Sequence, residues 1–223
     1  MRSPRARIAL LSLTALLVIA FAIAVLLDQP ATHAPTDAPT SSPTNAPSAS
    51  GFDGAALPAN IRAHEFTLTS LSAPTGQHAG EPVSLSAYRG QVVVLAFLYS
   101  TCGATCILIA QQIRGALDEL SHPVPVLIVS ADPAADTPAG VNRFLAQVSL
   151  TGRVHYLTGS RAQLRAVWHA YGAIPASAGR AAFADSASAF LIDPSGNERV
   201  LFPVEQLTPE GLAHDIRVLE GEP

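Results

Sequence analysis

The sequence predicts an α/β fold: a mixed sheet with helices on both faces, preceded by one N-terminal transmembrane helix. Three observations carry this. Two apolar runs, residues 91–99 and 124–129, read as buried strands. Between and after them come stripes at helical spacing: Cys106, Ile109, Ile113, Leu117 and Leu120; Val141, Phe144, Leu145 and Val148; Leu164, Val167, Trp168 and Tyr171; Leu212, Ile216 and Leu219. Finally, residues 8–27 form an uncharged apolar stretch directly behind Arg2, Arg5 and Arg7.

That stretch has the length of a bilayer-spanning helix. The arginines before it predict a cytoplasmic N-terminus and an exported remainder. A cleaved signal peptide is the competing reading. Against it, the run exceeds a typical signal core, and no strong small-x-small cleavage site follows closely. Residues 1–27 are therefore expected to be a membrane anchor. The protein is expected in the cell membrane as a single-pass chain, with its domain on the extracytoplasmic side. Residues 28–58 are rich in Pro, Thr, Ser and Ala and offer almost no large apolar side chain, so they read as a disordered linker. The folded domain is expected over 59–223. It is mildly acidic and lacks the basic patch of a nucleic-acid binder.

Within the domain, Phe66 and Leu68, then Val83 and Leu85, alternate around a Ser-Ala-Pro-Thr-Gly stretch and predict a hairpin. Tyr88-Arg89-Gly90 turns the chain into the strand over 91–99. A helix follows to about residue 120, broken at His122-Pro123. After the strand over 124–129, Thr137-Pro138 marks a helix start, a capping hydroxyl followed by Pro at the first helical position. Residues 154–157 are a short strand, and the Leu164 stripe a third helix. Residues 172–182 read as a small-residue loop. The strand at 190–192 turns at Asp193-Pro194-Ser195-Gly196 into a return strand over 199–204. Thr208-Pro209 starts the last helix. With right-handed crossovers this order gives a thioredoxin-like arrangement.

The only two cysteines, Cys102 and Cys106, fall at the junction of the central strand and the first long helix. Unpaired N–H groups and the helix dipole there favour thiolate at Cys102. Ser100 or Thr101 is the expected cap. Residues four apart face the same way, with Cα atoms roughly 6 Å apart, close enough for a disulfide or for one shared ion. Outside the cytosol an inert structural bridge is the bland alternative. However, a bridge within one turn closes a tiny loop and adds little stability, which favours a working pair. Cys102, nearer the helix start, would attack; Cys106 would resolve.

The chain resembles the Sco/SenC family, thioredoxin-like copper chaperones of cytochrome c oxidase assembly. Four blocks carry the resemblance: Tyr88 to Val94; Phe97 to Cys106, with three residues between the cysteines; Ser130 to Pro138, with its Asp-Pro and Asp-Thr-Pro; and Ala189 to Gly196. The resemblance implies copper held by Cys102, Cys106 and a His five residues before the late-strand aromatic. Counting back from Phe190 lands on Asp185. Gly103 stands where the family usually has Pro, and Ala135 where Arg is common. Cu(I) prefers thiolate and imidazole to carboxylate. Asp185 therefore reads first as an ordinary loop carboxylate, with a place in a Cu(II) site as the alternative, and the two thiolates alone would hold Cu(I) with less selectivity.

No other histidine shows ligand spacing toward the cysteines. His33 is in the linker, and His122 lies beyond the far end of the helix. His169 and His214 sit off their apolar stripes. His64 shares parity with Phe66 and is expected to pack, and nothing local points His78 or His155 at the sulfurs. The leading function is copper binding and delivery, or thiol redox support, for oxidase assembly. The runner-up is a thiol–disulfide oxidoreductase without copper. A peroxidase ranks below both, since no Pro precedes Cys102 at the spacing that chemistry uses. Expected partners are the membrane, through the N-terminal helix, and a cytochrome c oxidase subunit or another thiol-bearing protein. Asp132, at the end of a strand on the active edge, is a further residue to follow, with a turn before Pro133 as its plain role.

Overall fold

A computed structural model describes residues 51–221. The expected anchor and linker residues 28–50 lie outside the described residues. Among the described residues no helix is long and apolar enough to cross a membrane.

The strands in chain order are β1 (Ala55–Ala56), β2 (Thr67–Ser72), β3 (Pro82–Ser84), β4 (Val93–Leu98), β5 (Val126–Ser130), β6 (His155–Thr158), β7 (Ser188–Ile192) and β8 (Glu198–Pro203). They form one eight-stranded sheet in the order β1-β8-β7-β4-β5-β6-β2-β3. The pairs β4–β5 and β5–β6 are parallel; the others are antiparallel. The helices are α1 (Ala104–Glu119), α2 (Pro138–Gln147), α3 (Arg161–Ala170), α4 (Arg180–Ser186) and α5 (Pro209–Glu220).

Strand β4 shows why the sheet is covered on both sides. All six of its residues are buried. Val94, Ala96 and Leu98 enter one core with Cys106, Ile109 and Ile113 of α1, Leu145 of α2 and Ile216 of α5. Val93, Leu95 and Phe97 enter the other with Leu164, Val167 and Trp168 of α3. A strand alternates its side chains, so a fully apolar strand requires both layers. Each large side chain buried this way contributes about 1.5–3 kcal/mol.

Two helix starts follow their sequence signals. The Thr137 hydroxyl accepts from Gly140 N–H, and that of Thr208 from Gly211 N–H, each with Pro at the first helical position. Ser160 and Gln163 form a reciprocal capping box at α3.

Two regions differ from the sequence reading. Residues 51–58, expected in the linker, are part of the fold. Phe52 is buried, and Ala55 and Ala56 pair with Leu201 and Val200 of β8. Asp53 N–H and Gly54 N–H donate to the two carboxylate oxygens of the buried Asp215 at 2.8 and 2.9 Å. Burial pushes the Asp215 carboxyl above its ordinary range, against the pull of those two bonds. Gly54 is required there: a Cβ would meet Val200 Cγ1 at 2.5 Å. Helix α4 was also unforeseen, since it holds one buried residue, Phe183, among small ones.

Candidate functional site

The end of β4 feeds a tight turn. Cys102 N–H donates to Tyr99 C=O at 3.1 Å, and α1 begins two residues after Cys102. Its N-cap is Gly103, with φ 86° and ψ −139°, and no side chain caps it. Neither Ser100 nor Thr101 takes the expected role, because the turn sets the helix start beyond both. A sulfur stands in: Cys106 N–H donates to Cys102 Sγ at 3.1 Å. A donor aimed at this sulfur, at the positive end of a helix, favours thiolate when the bond is reduced.

Cys102 and Cys106 are joined as a disulfide with Cα atoms 5.8 Å apart, the separation expected from the spacing. Cys106 is 0% exposed and Cys102 9% exposed, so an incoming group meets Cys102 first. Tyr99 packs edge-on against Phe183 of α4 at 4.9 Å between ring centroids, which ties α4 to the cysteine turn.

A residue missed by sequence reasoning holds this turn. Asp136 is 6% exposed. It accepts from Ser100 N–H at 2.7 Å, Ser130 Oγ–H at 2.6 Å and Tyr156 O–H at 2.9 Å. The stretch before Cys102, the end of β5 and Tyr156 of β6 are thereby fixed to one carboxylate. Burial first, then the Asp136 charge, push the Tyr156 phenol well above its ordinary range, so it stays a donor. Asp132 takes the plain role: its Oδ1 accepts from Ala134 and Ala135 N–H at 3.3 Å, closing a turn.

Asp185 lies exposed on α4. Among the described residues it does not form a three-ligand group with the two sulfurs. The histidines stand elsewhere. His155 is buried beside Ser70 and Tyr88. His64 is exposed rather than packed. His122 pairs with Glu220 at 3.1 Å. The one ligand-spaced group among the described residues is Asp53, His214 and Asp215. Two of its three side chains are already engaged: both Asp215 oxygens take backbone N–H groups, and His214 Nε2 contacts Gly51 O at 3.2 Å. It acts as a clasp for the N-terminal edge.

The family model for SCO1/SenC matches residues 62–220. A comparison with curated proteins finds no match. Among solved structures, the chain is similar to apo Sco1 from Thermus thermophilus, at 22% identity and TM-score 0.57, covering 75% of this chain and 96% of that one. It is similar to BsSco, a member of the Sco family of cytochrome c oxidase assembly proteins in which a disulfide switch was identified, at 21% identity and TM-score 0.58, covering 74% and 96%. A third is Bradyrhizobium japonicum ScoI with copper bound, at 24% identity and TM-score 0.51, covering 71% and 99%. These likenesses show the fold.

Proposed function

This chain belongs to the SCO1/SenC family, and from that premise we propose that it supports cytochrome c oxidase assembly through Cys102 and Cys106, from the extracytoplasmic side of the cell membrane. The observation that carries the reading is the pair itself: two sulfurs in bonding reach at the carboxyl end of the central strand, one reachable and one buried. The N-terminal apolar run supports the tether.

In the reduced state both thiolates would hold Cu(I), the cargo, and the soft donor set suits that ion. The same pair supports exchange. The Cys102 thiolate attacks a partner disulfide, forming a mixed disulfide and releasing one partner thiolate. The Cys106 thiolate then attacks Cys102 Sγ, forming the 102–106 bond and releasing the second. Two electrons pass to the partner, whose thiolates take up two protons. Copper in the ScoI relative and the disulfide switch in BsSco support the two halves of this reading.

A second reading, exchange without copper, is favoured by Asp185, a hard ligand not gathered with the sulfurs. Titrating Cu(I) against a competing chelator, with the reduced full chain under anaerobic conditions, separates the two. Tight one-to-one binding is expected. Weak binding restored by Asp185→His would transfer the function to the second reading. Cys102→Ser should abolish both activities; retention of either in full would overturn the assignment.

A further inference from the structure

Helix α3 presents Arg161, Arg165 and His169 along one exposed face, at i, i+4 and i+8. They line a cleft of about 470 Å³. Its opposite wall is the turn at Ala131 to Ala134, and its floor includes Trp168, with Pro175 and Ser177 closing the end. Trp168 is held by its Nε1–H to Ser130 C=O at 3.0 Å, so the floor is fixed to β5. Asp132 is the carboxylate among the lining residues, and its Oδ1 is engaged by the turn's N–H groups.

Charge is what marks this cleft. The described part of the chain carries ten Arg against fourteen Asp and Glu, and six of the ten Arg pair with no carboxylate there. Arg89, Arg114, Arg153 and Arg199 each pair with a carboxylate. Arg161 and Arg165 pair with none among the described residues and share one cleft. Guanidinium forks over an aromatic and proline surface suit carboxylates carried on a chain.

The spacing narrows the ligand further. Arg161 and Arg165, four residues apart, are offset by about 6 Å along the helix. Alternate side chains of an extended strand stand about 6.6 Å apart. We propose that this cleft docks an extended protein segment bearing carboxylates at alternate positions, belonging to the thiol-bearing partner of Cys102. The partner's identity rests on the function proposed above; the cleft's preference for such a segment does not.

The connection to the cysteines is structural. Ser130, next to the cleft wall, pairs with Leu98 at the end of β4. Ala131 N–H donates to Leu98 C=O, and Ala176 N–H donates to Ala131 C=O. The cleft therefore opens on the same sheet edge as Cys102, on the α3 side. A partner held there and crossing the Ala176 turn approaches the pair from one direction.

Trp168 is the only tryptophan, so its fluorescence reads the cleft directly. The test titrates the full chain in neutral detergent with a blocked heptapeptide carrying aspartates at alternate positions. The same peptide with asparagines, citrate and inorganic phosphate serve as comparisons. A saturable Trp168 change with the acidic peptide alone is expected, weakening with salt. The double variant Arg161→Gln, Arg165→Gln should bind about ten-fold or more weakly. Arg161→Lys with Arg165→Lys keeps the charge and should stay closer to the parent.

A flat Trp168 signal, equal binding of the asparagine peptide, or an unaffected glutamine double variant overturns the proposal. So does displacement by citrate or phosphate at matched concentration, which would make the cleft a small-anion site. The copper and exchange assays read a different place. A chain inert in those but responsive here loses the function and keeps the cleft; the reverse pattern removes the cleft alone.

Discussion

The side chain that most constrains the cysteines is a carboxylate with no part in bond exchange. Asp136 receives three donors from three separate stretches of chain, at Ser100, Ser130 and Tyr156. Bonds to a buried charge are each worth about 1.5–3 kcal/mol, and Asn at this place would turn its NH2 either toward the Ser100 N–H or toward the two hydroxyls that now donate. Asp136→Asn is expected to cost about 2–3 kcal/mol in urea unfolding and to slow exchange at Cys102. No local pattern announced this role, because the partners lie far apart in sequence; only the following Thr-Pro helix start was legible. His155 makes a second residue-scale case. Burial lowers its pKa below the ordinary 6.5. The unfolded chain therefore takes up a proton near pH 6.5 that the folded chain refuses. Stability from this site is complete above that pH and is lost as pH falls through the lower, folded value. Thermal midpoints should decline between pH 7 and 5, and His155→Gln should flatten the decline.

At the scale of elements, legibility followed the number of inward side chains. Helices α1, α2, α3 and α5 each bury three or more residues at helical spacing and were readable from that stripe. Helix α4 buries one and was not. Strand β1 is two alanines, which carry no periodic signal; its place comes from β8 and from the Asp215 clasp. The start of α1 shows the opposite limit. A side-chain cap was expected, but Gly103 occupies φ 86°, a region costly for any L side chain. Proline, usual here in the family, is confined to φ near −65° and cannot reproduce this turn. Gly103→Ala is expected to cost about 1–2 kcal/mol by denaturant unfolding, and Gly103→Pro to alter the cysteine turn, read as a changed rate of disulfide reduction.

At the scale of the molecule, both cores meet on β4, and the boundaries of the domain decide what keeps them closed. The linker's composition hid the true N-terminal limit: a short Gly- and Ala-rich stretch looks unfoldable until the surfaces it covers are known. A chain beginning at residue 59 lacks the donors to Asp215, the Phe52 ring and the pairing at Val200. It should unfold about 2–4 kcal/mol more easily than one beginning at 51, as measured in urea. The clasp also has a mechanical meaning. Tension applied at residue 51 would enter the described fold through this short attachment at the sheet's edge. Tension from upstream would be spent first on parting Asp53 and Gly54 from Asp215, before reaching β4. The cysteine turn would thus be insulated from drag on the N-terminus until that attachment had parted.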